Sequence, residues 1–76
     1  MAVTHFEIFI DGQHFRVQQT TMSGAQLKAL ASKDASYQLF EEIAGNQPDR
    51  AISDTEAIVI RNGLHFYTVP PATFGG

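Results

Sequence analysis

The chain has 76 residues, a net charge of −3, 43% apolar residues and no cysteine. That is one small domain, which buries only about 60% of its unfolded surface and so needs an efficient core. The absence of cysteine excludes disulfides, thiolate metal sites and a cysteine nucleophile, and the five scattered basic residues argue against a nucleic-acid footprint. No apolar run is long enough to span a membrane, and no signal peptide precedes the first alternating segment, so the expected compartment is the cytoplasm.

Thr4 to Ile10 alternates, with Phe6, Ile8 and Ile10 on one face and His5, Glu7 and Phe9 on the other. Asp11-Gly12 is a two-residue hairpin signal. Gln13 to Gln18 alternates again. This register sets Ile8 opposite Phe15, Phe6 opposite Val17 and Glu7 opposite Arg16, so apolar meets apolar and the charged pair has opposite signs.

Met22 to Leu27 reads as a helix start. Ser23 as N-cap and Gln26 three residues later form a capping box, with Met22 and Leu27 as a hydrophobic staple. Leu27, Leu30 and Ala31 make one apolar stripe, and Lys28 and Lys33 point to water. The helix is expected to run about ten residues, ending near Ser32 to Asp34, and must lie on the sheet because so short a helix is unstable alone.

Tyr37 to Ile43 is the next strand candidate, with Tyr37 and Leu39 inward and Phe40 outward. Gly45 to Arg50 is loop by composition. Ile52-Ser53-Asp54 is a tight turn that tucks Ile52 into the core. Ala57 to Ile60 is an abbreviated strand and Arg61-Asn62-Gly63 a second turn. Leu64 to Val69 is the last strand, with Leu64, Phe66 and Thr68 on one face and His65, Tyr67 and Val69 on the other. Pro70-Pro71 ends it, since neither residue can donate to a ladder.

The order of hairpin, helix, strand, short strand, final strand and Gly-Gly end resembles ubiquitin. The closer resemblance is to bacterial multiubiquitin-type domains. It rests on Ile10-Asp11-Gly12, Ser23-Gly24-Ala25-Gln26-Leu27, Tyr37-Gln38-Leu39-Phe40, Ile52-Ser53-Asp54 and Phe66-Tyr67-Thr68-Val69-Pro70, five pieces in the family's order. The implied fold is an α+β β-grasp: a mixed four- to five-stranded sheet with one helix packed on one face. Residues 1–71 would form that domain and residues 72–76 a loose tail.

The resemblance implies a protein modifier. An activating enzyme would adenylate the Gly76 carboxylate, its cysteine would take the acyl group as a thioester, and a conjugating enzyme would receive it for transfer to a covalent protein target. A deconjugating peptidase would reverse the bond. Gly75 would give clearance in a narrow slot. Ubiquitin carries Leu-Arg-Leu-Arg before its glycines. Here Ala72-Thr73-Phe74 is uncharged, which makes Phe74, with Thr73, the recognition handle for dedicated bacterial enzymes. The context implied is an operon with its own conjugation enzymes, in some cases antiphage. Two other readings stay open: a sulfur carrier ending in a thiocarboxylate, and a non-covalent ubiquitin-like interaction domain.

In a β-grasp the last strand lies beside both the first and the third. Phe9, Phe40, Tyr67 and Val69 then share the face away from the helix, with His14 and His65 nearby. A contiguous patch of this kind marks a docking surface. Phe40 and Val69 resemble, by strand position, two members of ubiquitin's docking patch. Lys28 and Lys33, the only lysines, are the candidate acceptors for a second copy. No cofactor, metal site or enzyme activity is expected. There is no His-x-x-x-His spacing, and the adjacent Glu41 and Glu42 point to opposite faces of a strand. The expected state is a monomer that binds neither nucleic acid nor membrane.

Overall fold

A computed structural model describes residues 5–72. Seven strands and one helix follow in order: β1 (Phe6–Ile10), β2 (Gln13–Val17), β3 (Thr21–Ser23), α1 (Gly24–Leu30), β4 (Gln38–Glu41), β5 (Arg50–Ile52), β6 (Ala57–Val59) and β7 (Leu64–Val69). Five of them form a sheet in the order β2-β1-β7-β4-β5, and β3 pairs with β6 in a separate two-stranded sheet. The β1–β7 pairing is parallel and the other pairings are antiparallel, so the main sheet is mixed. One helix on a mixed five-stranded sheet is the α+β, β-grasp arrangement expected.

The hairpin takes the register that polarity dictates, with Phe6 opposite Val17, Glu7 opposite Arg16 and Ile8 opposite Phe15. Its turn is left-handed at both residues, with φ of 54° at Asp11 and 79° at Gly12. A two-residue turn of this hand matches the twist of the strands it joins, and aspartate and glycine tolerate it best.

The helix begins as its sequence directs. The Ser23 hydroxyl accepts from the Gln26 amide at 3.1 Å, and the Gln26 side chain accepts from the Ser23 amide at 2.8 Å. It is shorter than expected. The amide of Ser32 donates to the Ala29 carbonyl at 3.0 Å and that of Lys33 to the Lys28 carbonyl at 2.9 Å, with Ser32 left-handed at φ 60°. This is a Schellman closure with serine where glycine is usual, so the stop carries no glycine signal.

The structure departs from expectation at three further places. Met22 belongs to β3, where it pairs with Ile58. Arg50–Ile52 forms the edge strand β5 on β4, where composition suggested loop up to Arg50. Tyr37 lies before β4, in a turn closed by its amide on the Asp34 carbonyl at 3.0 Å. It is half-buried, while Leu39 fills the inward position.

The core lies between the sheet and the helix. Ile8, Ile10, Leu27 and Leu39 have no solvent exposure, and Phe66 has 1%. Val17, Met22, Ala31, Ile52, Ile58, Ile60 and Leu64 complete it, with Phe6, Phe15 and Leu30 at its margin.

Lys28 corrects the expectation of a solvated residue: it is 4% exposed. Its ammonium donates to the carbonyls of Ala35 and Tyr37, each at 2.8 Å, and meets Asp54 Oδ1 at 2.6 Å. All three of its N–H donors therefore have an acceptor. Among the described residues no buried side-chain polar atom lacks a partner.

Candidate functional site

The sheet face away from the helix carries the expected residues. Because β7 lies between β1 and β4, its outward residues His65 and Tyr67 each meet an aromatic ring from one of these neighbours. Phe9 stands opposite His65 across β1–β7 and opposite His14 across β1–β2, and Phe40 stands opposite Tyr67 across β4–β7. Phe9 stacks on His65 with ring centroids 4.7 Å apart and planes 11° apart, and contacts His14 at 5.3 Å. Phe40 stacks on Tyr67 at 5.2 Å and 17°. Stacked pairs of this kind add to simple area burial and hold the rings in place. Val69 continues the row, opposite Gln38, and is 42% exposed. The fold thus brings Phe9, Phe40, His65, Tyr67 and Val69 to one face.

On the β4 side the rim of this face is acidic, which no local sequence signal shows. The Tyr67 hydroxyl donates to Asp49 Oδ2 at 3.0 Å, while Asp49 Oδ1 accepts from the Ile43 amide at 3.1 Å. On the other side Glu7 meets His14 at 2.7 Å and Arg16 at 4.0 Å. Glu42, Ile43 and Ala44 line a cavity of about 270 Å³ with His65. Nothing local in the sequence places Asp49 beside Tyr67, because the loop carrying it reaches back to β7 only in the folded chain.

Desolvation lifts the Tyr67 hydroxyl above its ordinary pKa of 10.0, and the hydrogen bond to Asp49 and the charges of Asp49 and Glu42 add to it. A raised folded pKa means that this group's contribution to stability is full below the unfolded pKa and is lost as pH rises through the folded one. An ultraviolet titration of tyrosinate should show Tyr67 ionising late, and Asp49→Asn should bring that step to lower pH. A late step unmoved by the substitution would refute the assignment.

The histidines do not converge. His14 pairs with Glu7, His5 lies 3.2 Å from the Gln18 amide nitrogen, and His65 stacks on Phe9. Among the described residues no three His, Cys, Asp or Glu side chains group as metal ligands. No helix of the described residues is long and apolar enough to cross a membrane.

The final strand is anchored at its far end by Asp11. This residue does more than turn the hairpin: Oδ1 accepts from the Thr68 amide at 2.9 Å and Oδ2 from the Thr68 hydroxyl at 2.6 Å. Pro70, Pro71 and Ala72 follow, exposed and outside any element. Thr73, Phe74, Gly75 and Gly76, named above for recognition and reaction, lie outside the described residues. Of the two lysines, Lys28 is engaged in the interior. Lys33 is partly exposed, 3.8 Å from Asp11 Oδ2 and 5.9 Å from the centre of the Tyr37 ring.

Fold order, sheet topology and helix placement define a ubiquitin-like β-grasp domain. The multiubiquitin family profile matches residues 6–71. The chain belongs to that family. No curated protein and no solved structure is a significant match to it.

Proposed function

We propose that this domain is a ubiquitin-like protein modifier of a bacterial ubiquitination-like pathway, of the kind that in some cases serves antiphage defence. The observation that carries the reading is membership of the multiubiquitin family across the whole folded body. The stacked outward face supports it, as the surface on which activating, conjugating and deconjugating enzymes would dock.

The chemistry proposed uses the Gly76 carboxylate, whether as the chain's own end or as one freed by a peptidase. Attack of that carboxylate on the α-phosphate of ATP forms an acyl-adenylate and releases pyrophosphate. A cysteine thiolate of the activating enzyme displaces AMP to give a thioester, and exchange passes the acyl group to the conjugating enzyme. A target amine then attacks the thioester carbonyl, forming an isopeptide bond and releasing the thiol. The chain supplies no catalytic group. Gly75 gives clearance, Thr73 and Phe74 are the recognition handle, and the modifier works as a cytoplasmic monomer. Lys33 is the lysine left to accept a second copy, because Lys28 is buried and fully bonded.

The test is mass spectrometry of the chain after reaction with activating and conjugating enzymes and ATP. Covalent adducts on protein amines, lost when Gly76 is deleted, are the expected result. Adducts that survive the deletion would sink the reading. Replacement of one carboxyl oxygen by sulfur, with no adduct, would replace it with sulfur carriage. Phe40→Ala should weaken the activating enzyme's hold about fivefold or more without unfolding the chain, since loss of a central aromatic hot-spot contact costs over about 1 kcal/mol.

A further inference from the structure

The bonds that Asp11 makes have a geometry that turn formation does not require. The β1–β7 ladder ends with Ile10 opposite Phe66, and the Asp11 amide adds one rung by donating to the Phe66 carbonyl at 2.9 Å. Beyond it the backbone of the hairpin turns away. The Asp11 carboxylate then takes the place of the missing strand, accepting the Thr68 amide on one oxygen and the Thr68 hydroxyl on the other. Charge-assisted bonds of this length are among the stronger ones in proteins. Lys33, from the segment after α1, stands 3.8 Å from the same carboxylate. On the other side of β7, Thr68 and Val69 pair with Leu39 and Gln38 of β4. Pro70 and Pro71 follow and have no N–H to give. Among the described residues, the Asp11 carboxylate is thus the last tether from the hairpin to the chain before it leaves the body.

We infer that Asp11 is a positioning residue: by holding Thr68 it fixes the direction in which the chain leaves β7, and so the base from which the chain reaches toward an activating enzyme. This rests on the modifier reading for its purpose, though not for its geometry. Asp11 acts only through Thr68 and touches no reacting atom.

Three variants test it. Asp11→Ala removes both acceptors. Asp11→Asn keeps one oxygen and the left-handed turn. Thr68→Val removes the hydroxyl alone and leaves the turn intact, so it serves where Asp11→Ala fails to fold. Amide exchange of Thr68 should rise about 10- to 100-fold in Asp11→Ala, the size expected when a charge-assisted hydrogen bond is lost, while Leu39 and Phe66 stay near wild type. NMR order parameters at Ala72 should fall with it. In ATP–pyrophosphate exchange with the activating enzyme, KM for the chain should rise several-fold with kcat unchanged, and Asp11→Asn should recover most of the loss.

Unchanged Thr68 exchange in Asp11→Ala, or wild-type KM in both Asp11→Ala and Thr68→Val, would overturn the inference. The two failures are separable. Wild-type KM in these variants, with activity abolished by Gly76 deletion, removes only the role of Asp11. Activity that persists without Gly76 removes the modifier reading, and Thr68 exchange with Ala72 order still decides whether Asp11 sets the exit direction.

Discussion

Gly24→Ala should destabilise the domain by about 1 to 3 kcal/mol, the range of overpacking a packed site. Helix propensity alone gives the opposite sign, since alanine is favoured over glycine by about 1 kcal/mol in a helix. Contact decides the matter. A Cβ built on Gly24 would collide with the Ser53 carbonyl oxygen and lie 2.9 Å from its carbon, with Ile52 Cγ2 at 3.2 Å. The oxygen belongs to backbone that is itself held, because it accepts from the Glu56 amide at 3.2 Å. To make room, the helix start must lift from the 53–56 turn. That would strain the bonds from the Gly24 amide to the Glu56 carbonyl at 3.2 Å and from the Ala25 amide to the Asp54 carbonyl at 3.1 Å. A chain of this size has only about 4 to 11 kcal/mol of stability in all. Urea unfolding measures the loss, and an alanine variant as stable as wild type would show that the helix is not seated this way.

Lys28→Met should cost about 2 to 4 kcal/mol, although it keeps most of the apolar stem and removes a charge from the interior. The substitution strips the Ala35 and Tyr37 carbonyls of their 2.8 Å donor and separates the helix from Asp54. Removing one partner of a buried ion pair commonly costs about 3 to 5 kcal/mol. The figure here is smaller because the Asp54 side chain is half-exposed and regains water. At this chain length the expected fall in Tm is about 10 °C or more. Asp54→Asn should cost less, since it leaves both carbonyl bonds in place. Thermal unfolding of Lys28→Met within about 0.5 kcal/mol of wild type, the ordinary range for a surface change, would refute the interior role.

Both effects lie where local reading stops. The hairpin register, the capping box and the inward and outward faces of the last strand were legible, because each follows from residues adjacent in the chain or paired across a two-residue turn. Lys28 was not. A lysine on a short helix reads as solvated, and only the folded chain brings Asp54 and the 35–37 carbonyls to it. Gly24 reads as an ordinary first-turn residue until the 53–56 turn is set against it. The strands β3 and β5 have three residues each, too few to show alternation, and their partners are supplied by topology. The aromatic face was legible from strand parity once the last strand was placed between the first and the third. Its acidic rim was not, because Asp49 reaches Tyr67 from an irregular loop. Asp11 reads as turn chemistry, and its second task depends on Thr68, 57 residues away in the chain.

The position of β7 has a consequence for how the chain is made. Among the described residues, the C-terminal strand lies in the middle of the sheet, parallel to the first and antiparallel to β4. Before Leu64–Val69 leaves the ribosome, the β1–β2 hairpin and the β4–β5 pair have no sheet between them to join. Phe66, among the most buried side chains, is still absent from the core at that stage. Assembly of this domain therefore waits for nearly its whole length, and closure depends on pairing the two ends of the described chain. Such long-range pairing is slow compared with helix or hairpin formation. A nascent chain arrested before Leu64 should remain open to protease, whereas one arrested with Val69 well clear of the tunnel should resist it.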